Sequence, residues 1–399
     1  MATPLPVVDV TPRVVDTLKA VPMARAQEGF SVSPTLLREY LVPQADDRVF
    51  RKLYVTEKLL EGNRLLIASV ELFPNYQGRI FEVSVEGRTQ LVMAGFSGDL
   101  GLPPVSQTLP FLVYVPPSPQ DTPAAHRAAN RPLYDRTKDP DVPVYYGDAT
   151  GYPYAWDWLA FQHHINAHRL AHQLKWAKSP YVFVVPLVRS FADGMGPLGA
   201  PEVLEGVLLG LQRWYLDRQP PPERLHEDRL RHVVLASFSI STTILAAFLD
   251  RHRNSPFVRD SVTDLVVLDP PPGNPRNRSP IVDVALSVLR GDRRKRLLLY
   301  SQDRYYVDKV TAAITRAGLT FDPARQRLFA DPRLPHVVVA YIDKALFGPA
   351  IIDPVLKDVH NTFPNLFIAD AARRATLHFS ERDGRQFAET SFLDWAPGR

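Results

Sequence analysis

Three serines stand at alternate positions in Ser237-Phe238-Ser239-Ile240-Ser241, with no glycine or proline among them. A hydroxyl is a weak nucleophile until a base takes its proton, and the base needs a third group to fix its tautomer. The flanks lift this cluster above an ordinary polar loop. Val233 to Ala236 is an apolar run rich in β-branched residues, which predicts a buried strand. Thr243 to Leu249 suits a buried helix. A strand that turns directly into a helix at a serine lifts that side chain above the end of a sheet. It also aims the free N–H groups of the helix N-terminus at whatever reacts there.

The pattern resembles the nucleophile elbow of the α/β-hydrolase family, small-x-Ser-x-small and most often Gly-x-Ser-x-Gly. Ser239 falls on the nucleophile position, and Ser237 and Ser241 stand where the glycines would. Serine keeps the turn small, but its Cβ makes a strained turn costlier than glycine does. The resemblance implies a serine, an acid and a histidine in that chain order, on loops at the C-terminal ends of the strands. Asp303 follows the strand expected over Arg296 to Tyr300, where the family most often keeps its acid. Asp269, after the preceding strand, is the second choice. His360 is the expected base, and it leads through Phe363-Pro364 into a helix expected over Leu366 to Arg374. It lies some 18 residues past Ile342, a long reach for that loop. The backbone N–H of Ile240 is the first oxyanion donor that the resemblance implies. The second is expected after the strand Pro110 to Val115, where Pro116, Pro117 and Pro119 have no N–H, which leaves Ser118 or Gln120.

The elements that must hold these groups follow one another regularly. Arg64 to Leu72, Arg79 to Glu86 and Thr89 to Ala94 read as antiparallel strands. From Pro110 onward strand and helix alternate. Strands are expected at Pro110–Val115, Tyr181–Leu187, His232–Ala236, Thr263–Leu268, Arg296–Tyr300 and His336–Ile342, and a last one at 375–380. Helices are expected at Asp157–Lys178, Pro201–Leu216, Thr242–Arg251, Ile281–Leu289, Val307–Arg316 and Asp353–His360. The later strands are continuous apolar runs, which means both faces are buried, as in a parallel sheet covered by helices. The expected fold is α/β, a mostly parallel sheet of roughly eight strands with helices on both faces, antiparallel strands at its start and a lid-like insertion. Residues 1–60 read as an N-terminal arm or cap, 61–399 as the α/β-hydrolase-like domain, and the polar, proline-rich stretch 117–157 as the lid-like insertion.

Composition narrows the chemistry. The 399 residues are 45% apolar, enough for a sizeable core, and the 38 prolines cluster outside the apolar runs. The absence of cysteine excludes disulfides, thiolate metal sites and a cysteine nucleophile. No signal peptide is evident at Met1-Ala2-Thr3-Pro4-Leu5-Pro6, and no run is long enough for a comfortable membrane span, so a cytoplasmic protein is expected. The net charge of +4 equals that of one loop, Arg290-Gly291-Asp292-Arg293-Arg294-Lys295-Arg296. That loop has no interleaved aromatics, so a solvated loop is the reading and no nucleic-acid partner is expected.

Two other patterns are weaker. His164, His168 and His172 share a helix face, but the outer two lie about 12 Å apart, too far for one metal. No Glu completes a His-Glu-x-x-His pattern either, so no metal is expected. Gly194-Met195-Gly196-Pro197-Leu198-Gly199 lacks the spacing and the Gly-Lys-Ser/Thr ending of a phosphate cradle. The sequence therefore points to a serine hydrolase that cleaves an ester or related acyl bond of a small-molecule substrate, with no cofactor. The alternative is a catalytically inactive scaffold serving as a binding or structural component, which the serine-for-glycine changes and the proline-rich oxyanion loop favour. The sequence carries no sign of oligomeric state.

Overall fold

The computed structural model describes residues 2–10, 76–97, 108–115, 181–186, 194–218, 229–271, 278–292, 295–316, 328–330 and 337–341. It also describes 360, 363–364, 367–368, 371–372 and 374–375. The expected strand Arg64 to Leu72, the insertion 117–157 and the helix Asp157 to Lys178 with its histidines lie outside these residues, as do Ser118 and Gln120.

Ten strands form one sheet: β1 (Val8–Asp9), β2 (Tyr76–Val85), β3 (Arg88–Ser97), β4 (Phe111–Val115), β5 (Val182–Pro186), β6 (Val233–Phe238), β7 (Val262–Leu268), β8 (Arg296–Ser301), β9 (Leu328–Ala330) and β10 (Val337–Tyr341). Their order across the sheet is β1-β2-β3-β5-β4-β6-β7-β8-β10-β9. The six from β5 to β10 in that order run parallel. β1, β2 and β3 add antiparallel strands at one edge, and β9 does so at the other. The strand expected to start at Thr89 is paired along its whole length with β2 through a tight turn at Glu86-Gly87, both at positive φ.

The parallel strands are short and apolar because water reaches neither face. Every residue of β4, β5, β6 and β8 is buried. On one face, alternate residues such as Val113, Leu235, Val267 and Leu299 join a single cluster with four helices. These are α1 (Pro201–Leu216), α2 (Ser241–His252), α3 (Ile281–Gly291) and α4 (Arg304–Arg316). On the other face, Leu112, Val234, Val266, Leu298 and Tyr300 are equally buried. There Tyr300 stacks on Phe367, with ring centroids 5.0 Å apart. Phe367 belongs to the described residues of the span 360–375, all of which are helical and buried.

The N-terminal residues expected to form an arm begin as sheet. Val8 and Asp9 pair with β2, and the Leu5 N–H donates to the Gly206 carbonyl of α1. A Cβ on Gly210 would collide with the Leu5 carbonyl, so this crossing needs glycine on the helix. The basic loop is also partly structural. The Lys295 ammonium is buried and donates to the carbonyls of Val258, Arg259 and Val262. Buried Arg296 pairs with Asp264 at 2.8 Å. Among the described residues no helix is long and apolar enough to cross a membrane.

Candidate active site

The parallel strands end side by side, and their ends are stitched in sequence. The Ser239 N–H donates to the Leu268 carbonyl at 3.0 Å, and the Asp269 N–H donates to the Tyr300 carbonyl at 2.7 Å. The turn after β6 is thereby tied to the end of β7, and the turn after β7 to the end of β8. Ser239 (φ +55°) and Asp269 (φ +38°) both sit in the left-handed region. That conformation costs a non-glycine residue energy and persists only where the surroundings over-determine it. β6 gives way at Ser239 to α2, which starts at Ser241. A strand thus gives way to a helix across Ser239, with a serine two residues away on either side of the strained position.

Serine replaces glycine here with different results at the two positions. Ser241 Oγ accepts from the Phe238 N–H at 3.0 Å and lies 2.7 Å from the carbonyls of both Val115 and Phe238. Ser237 Oγ is buried with no partner among the described residues. Thr242 Oγ1 donates to the Ser239 carbonyl at 2.7 Å and closes the first turn of the helix.

Ser239 Oγ lies 2.6 Å from His360 Nε2, and His360 Nδ1 lies 2.5 Å from Asp269 Oδ2. His360 is 8% exposed, Ser239 3% and Asp269 0%. The Phe238 ring flanks the imidazole, 4.8 Å between centroids. The Asp269 carboxylate takes further hydrogen bonds from neutral donors. The Gln302 N–H donates to Oδ1 at 3.0 Å and Gln302 Nε2 donates to Oδ2 at 2.6 Å. Ser301 Oγ approaches Oδ1 at 3.3 Å. Behind the acid, the Tyr306 O–H donates to the Pro271 carbonyl and its oxygen accepts from the Ser279 N–H, each at 3.0 Å. Burial pushes the Tyr306 phenol up to about 12.

The preferred acid of the sequence reading, Asp303, is not the group that meets the histidine. Helix α4 starts at Arg304, not at Val307, and this makes Asp303 its N-cap. The Asp303 carboxylate accepts the Tyr305 N–H at 2.9 Å, and its carbonyl accepts the Tyr306 N–H at 3.2 Å. A carboxylate spent on orphan helix donors is doing an N-cap's work. The second choice, Asp269, stands at His360 instead. The sequence pattern assigns no role to Gln302, Ser301 or the Ser241 hydroxyl. A polar Ser-Gln pair at the end of an apolar strand was the available signal.

The Ile240 backbone N–H sits at the start of α2 and has no acceptor among the described residues. It is thus a backbone donor at a helix N-terminus, one residue past Ser239. Among the described residues no group of three His, Asp or Glu side chains could hold a metal ion.

Sheet order and covering helices define an α/β fold with a mostly parallel sheet. No family model and no curated protein matches the sequence. Among solved structures the chain is similar to S-formylglutathione hydrolase from Staphylococcus aureus, at 10% identity over 75% of this chain and 96% of the other, with a TM-score of 0.37. It is similar to a thermostable carboxylesterase cloned from a metagenomic library, at 15% identity over 81% and 94% of the two chains, TM-score 0.34. It is also similar to vibralactone cyclase, at 10% identity over 84% and 87%, TM-score 0.35.

Proposed function

We propose that the protein is a serine hydrolase acting on an ester or related acyl bond of a small molecule. The observation that carries this reading is the unbroken line Ser239 Oγ, His360, Asp269, with contacts of 2.6 and 2.5 Å. His360 Nδ1–H donates to Asp269, which leaves Nε2 as the acceptor for the serine proton. As Oγ attacks the acyl carbon, that proton moves to Nε2. The oxygen of the tetrahedral intermediate gathers negative charge, and the Ile240 N–H is placed to receive it. Collapse expels the alcohol, which takes the proton from Nε2 and leaves an acyl group on Ser239. Water, deprotonated by His360, then attacks the acyl carbon and releases the acid. In this reading Asp269 replaces Asp303 as the orienting carboxylate, and Ser118 supplies the second oxyanion donor. The residues 117–157 form a lid, and the protein works in the cytoplasm without a cofactor.

The test is hydrolysis of short and medium-chain p-nitrophenyl esters by the wild type and by Ser239→Ala, with covalent labelling by a fluorophosphonate read by intact mass. Hydrolysis and single-site labelling that both vanish in Ser239→Ala support the reading. A folded wild type that neither hydrolyses nor labels overturns it in favour of an inactive scaffold.

A further inference from the structure

Asp269 is held from the end of β8 by two consecutive residues, and one of them grips both carboxylate oxygens. The Gln302 N–H donates to Oδ1 at 3.0 Å, and Gln302 Nε2 donates to Oδ2 at 2.6 Å. Ser301 Oγ lies 3.3 Å from Oδ1. Oδ2 is also the oxygen that His360 Nδ1 meets, at 2.5 Å. The amide and the imidazole therefore share one oxygen. A carboxylate turns about its Cβ–Cγ bond unless both oxygens are fixed. Backbone and hydroxyl fix Oδ1. Among the described residues the Gln302 amide is the one donor to Oδ2 besides His360. This amide is oriented at a cost. Gln302 Oε1 is buried and has no partner among the described residues. A buried acceptor without a partner destabilises a fold, and where one persists it calls for a reason. Turning the amide over would set Oε1 against Oδ2, acceptor against acceptor.

We propose that Gln302 is a positioning residue, whose side-chain amide fixes the Asp269 carboxylate in the rotation that presents Oδ2 to His360. The proposal rests on the hydrolase reading. A glutamine suits this task because a neutral amide orients a carboxylate without adding a charge beside it. At the other end of the sheet, Asp264 is met instead by the Arg296 guanidinium. Without the amide, the Asp269 carboxylate is free to turn about the oxygen that the backbone holds. His360 then loses the direction of its Nδ1–H bond, and with it the aim of Nε2 at Ser239 Oγ, 2.6 Å away. A misplacement of about 1 Å at a reacting group costs on the order of a hundredfold in rate. Gln302 acts through Asp269, so its contribution exists only while Asp269 is there to be held.

The experiment compares the wild type with Gln302→Met, which keeps the length and loses the amide, and Gln302→Asn, which keeps the amide and loses the reach. Gln302→Met is also made in an Asp269→Ala background. Readouts are kcat and KM on a p-nitrophenyl ester, the rate constant for phosphonylation of Ser239 by a fluorophosphonate, the melting temperature, and the downfield proton resonance of His360 Nδ1–H. In the phosphonylation Oγ bonds to phosphorus, fluoride leaves, and the serine proton goes to His360, so the aim of the imidazole is tested directly. The expected result is a fall of about ten- to a hundredfold in kcat and in the phosphonylation rate for both single variants, with KM within about twofold. The His360 resonance shifts or broadens in both. In the Asp269→Ala background Gln302→Met lowers the rates by no more than about twofold further. Single variants that react like the wild type overturn the proposal while leaving the hydrolase reading intact. So does a loss confined to KM or to melting temperature, an unmoved His360 resonance, or a full further loss in the Asp269→Ala background. A folded wild type that neither hydrolyses the ester nor is labelled at Ser239 overturns both.

Discussion

At the C-terminal end of the parallel strands, His360 lies between the Ser239 hydroxyl and the Asp269 carboxylate. At the N-terminal end, His232 lies between the hydroxyls of Tyr181 (2.6 Å) and Thr263 (3.0 Å), with Asp264 3.9 Å from its Nε2. The two ends hold the same types of side chain, all buried or nearly so, but differ in where charge is spent. Asp264 is already matched by Arg296 at 2.8 Å and also accepts from Thr263 Oγ1 at 2.8 Å. Its charge is satisfied without His232 taking a proton. Among the described residues Asp269 has only the neutral donors of Ser301 and Gln302 besides His360. The backbones differ as well. Ser239 and Asp269 are two of three non-glycine residues at positive φ among the described residues, the third being in the β2–β3 turn. Among the described residues the N-terminal cluster has no such strain. The same three kinds of side chain thus stand at both ends, and what sets the C-terminal end apart is an acid held by neutral donors and a strained turn.

The sharpest way to break this comparison is to remove each histidine or hydroxyl in turn. Ser239→Ala is expected to lower kcat on a p-nitrophenyl ester by about 10⁶-fold, with the fold intact by circular dichroism. His232→Ala, at the other end, is expected to cost about 1–3 kcal/mol of stability through loss of its contacts with the Tyr181 and Thr263 hydroxyls. Its kcat per labelled active site should stay within about threefold of wild type. A catalytic loss from His232→Ala approaching that of Ser239→Ala would mean the two ends are not functionally distinct.

Replacing the two candidate acids comes next in size. Asp269→Asn is expected to lower kcat by about 10⁴-fold, because the amide cannot hold His360 in the productive tautomer. Asp303→Ala should leave kcat within a few-fold and cost about 1 kcal/mol, read by urea denaturation, through loss of the α4 cap. The reverse ranking would restore Asp303 as the acid.

This pair also shows where the sequence stopped. The alternation of apolar runs fixed most strand and helix positions, and the flanks of Ser239 fixed the elbow, because both depend on near neighbours in the chain. Asp269 and Asp303 both end apolar strands, and local pattern did not separate them. The choice turns on how far α4 extends toward its N-terminus and on where His360 arrives from the far side of the sheet, 91 residues from Asp269. Placing the helix start at Val307 freed Asp303 from a cap it does hold. The N-terminal edge strand was illegible for a related reason. Val8 and Asp9 are too few to show a period, and they are strand only because β2 pairs with them. The Lys295 and Arg296 side chains looked like surface charge because their partners, the carbonyls at 258–262 and Asp264, lie more than 30 residues away.

The N-terminal cluster can be sharpened by breaking its ion pair. Arg296→Met leaves Asp264 buried without its cation and is expected to cost about 3–5 kcal/mol, with kcat per active site unchanged. The double variant Asp264→Leu with Arg296→Met should recover a large part of that loss, because buried pairs are often replaced by apolar residues at little cost. If the double variant is no more stable than the single, the pair does more than neutralise itself. The contact from Arg296 to the Arg374 carbonyl, which ties β8 to the described residues of the span 360–375, would be the place to look.

The smallest effect concerns the one titrating group whose shift reports on the acid loop. The Tyr306 hydroxyl holds the Pro271 carbonyl, two residues past Asp269, and burial raises its phenol from 10.0 to about 12. The neutral phenol is the form the fold favours. Below pH 10 both folded and unfolded chains keep the proton, and the full contribution is present. As pH rises from 10 toward 12 the unfolded chain gives up the proton first, so stability declines across that window. Tyr306→Phe removes the hydrogen bond, costing about 1 kcal/mol at neutral pH, and with it this part of the alkaline decline. Urea midpoints measured from about pH 8 to about pH 12 should therefore converge for wild type and variant at the alkaline end. Parallel curves would mean that the phenol ionises as readily in the folded chain as in the unfolded one, and that the loop behind Asp269 is held by Asp269's own hydrogen bonds to β8.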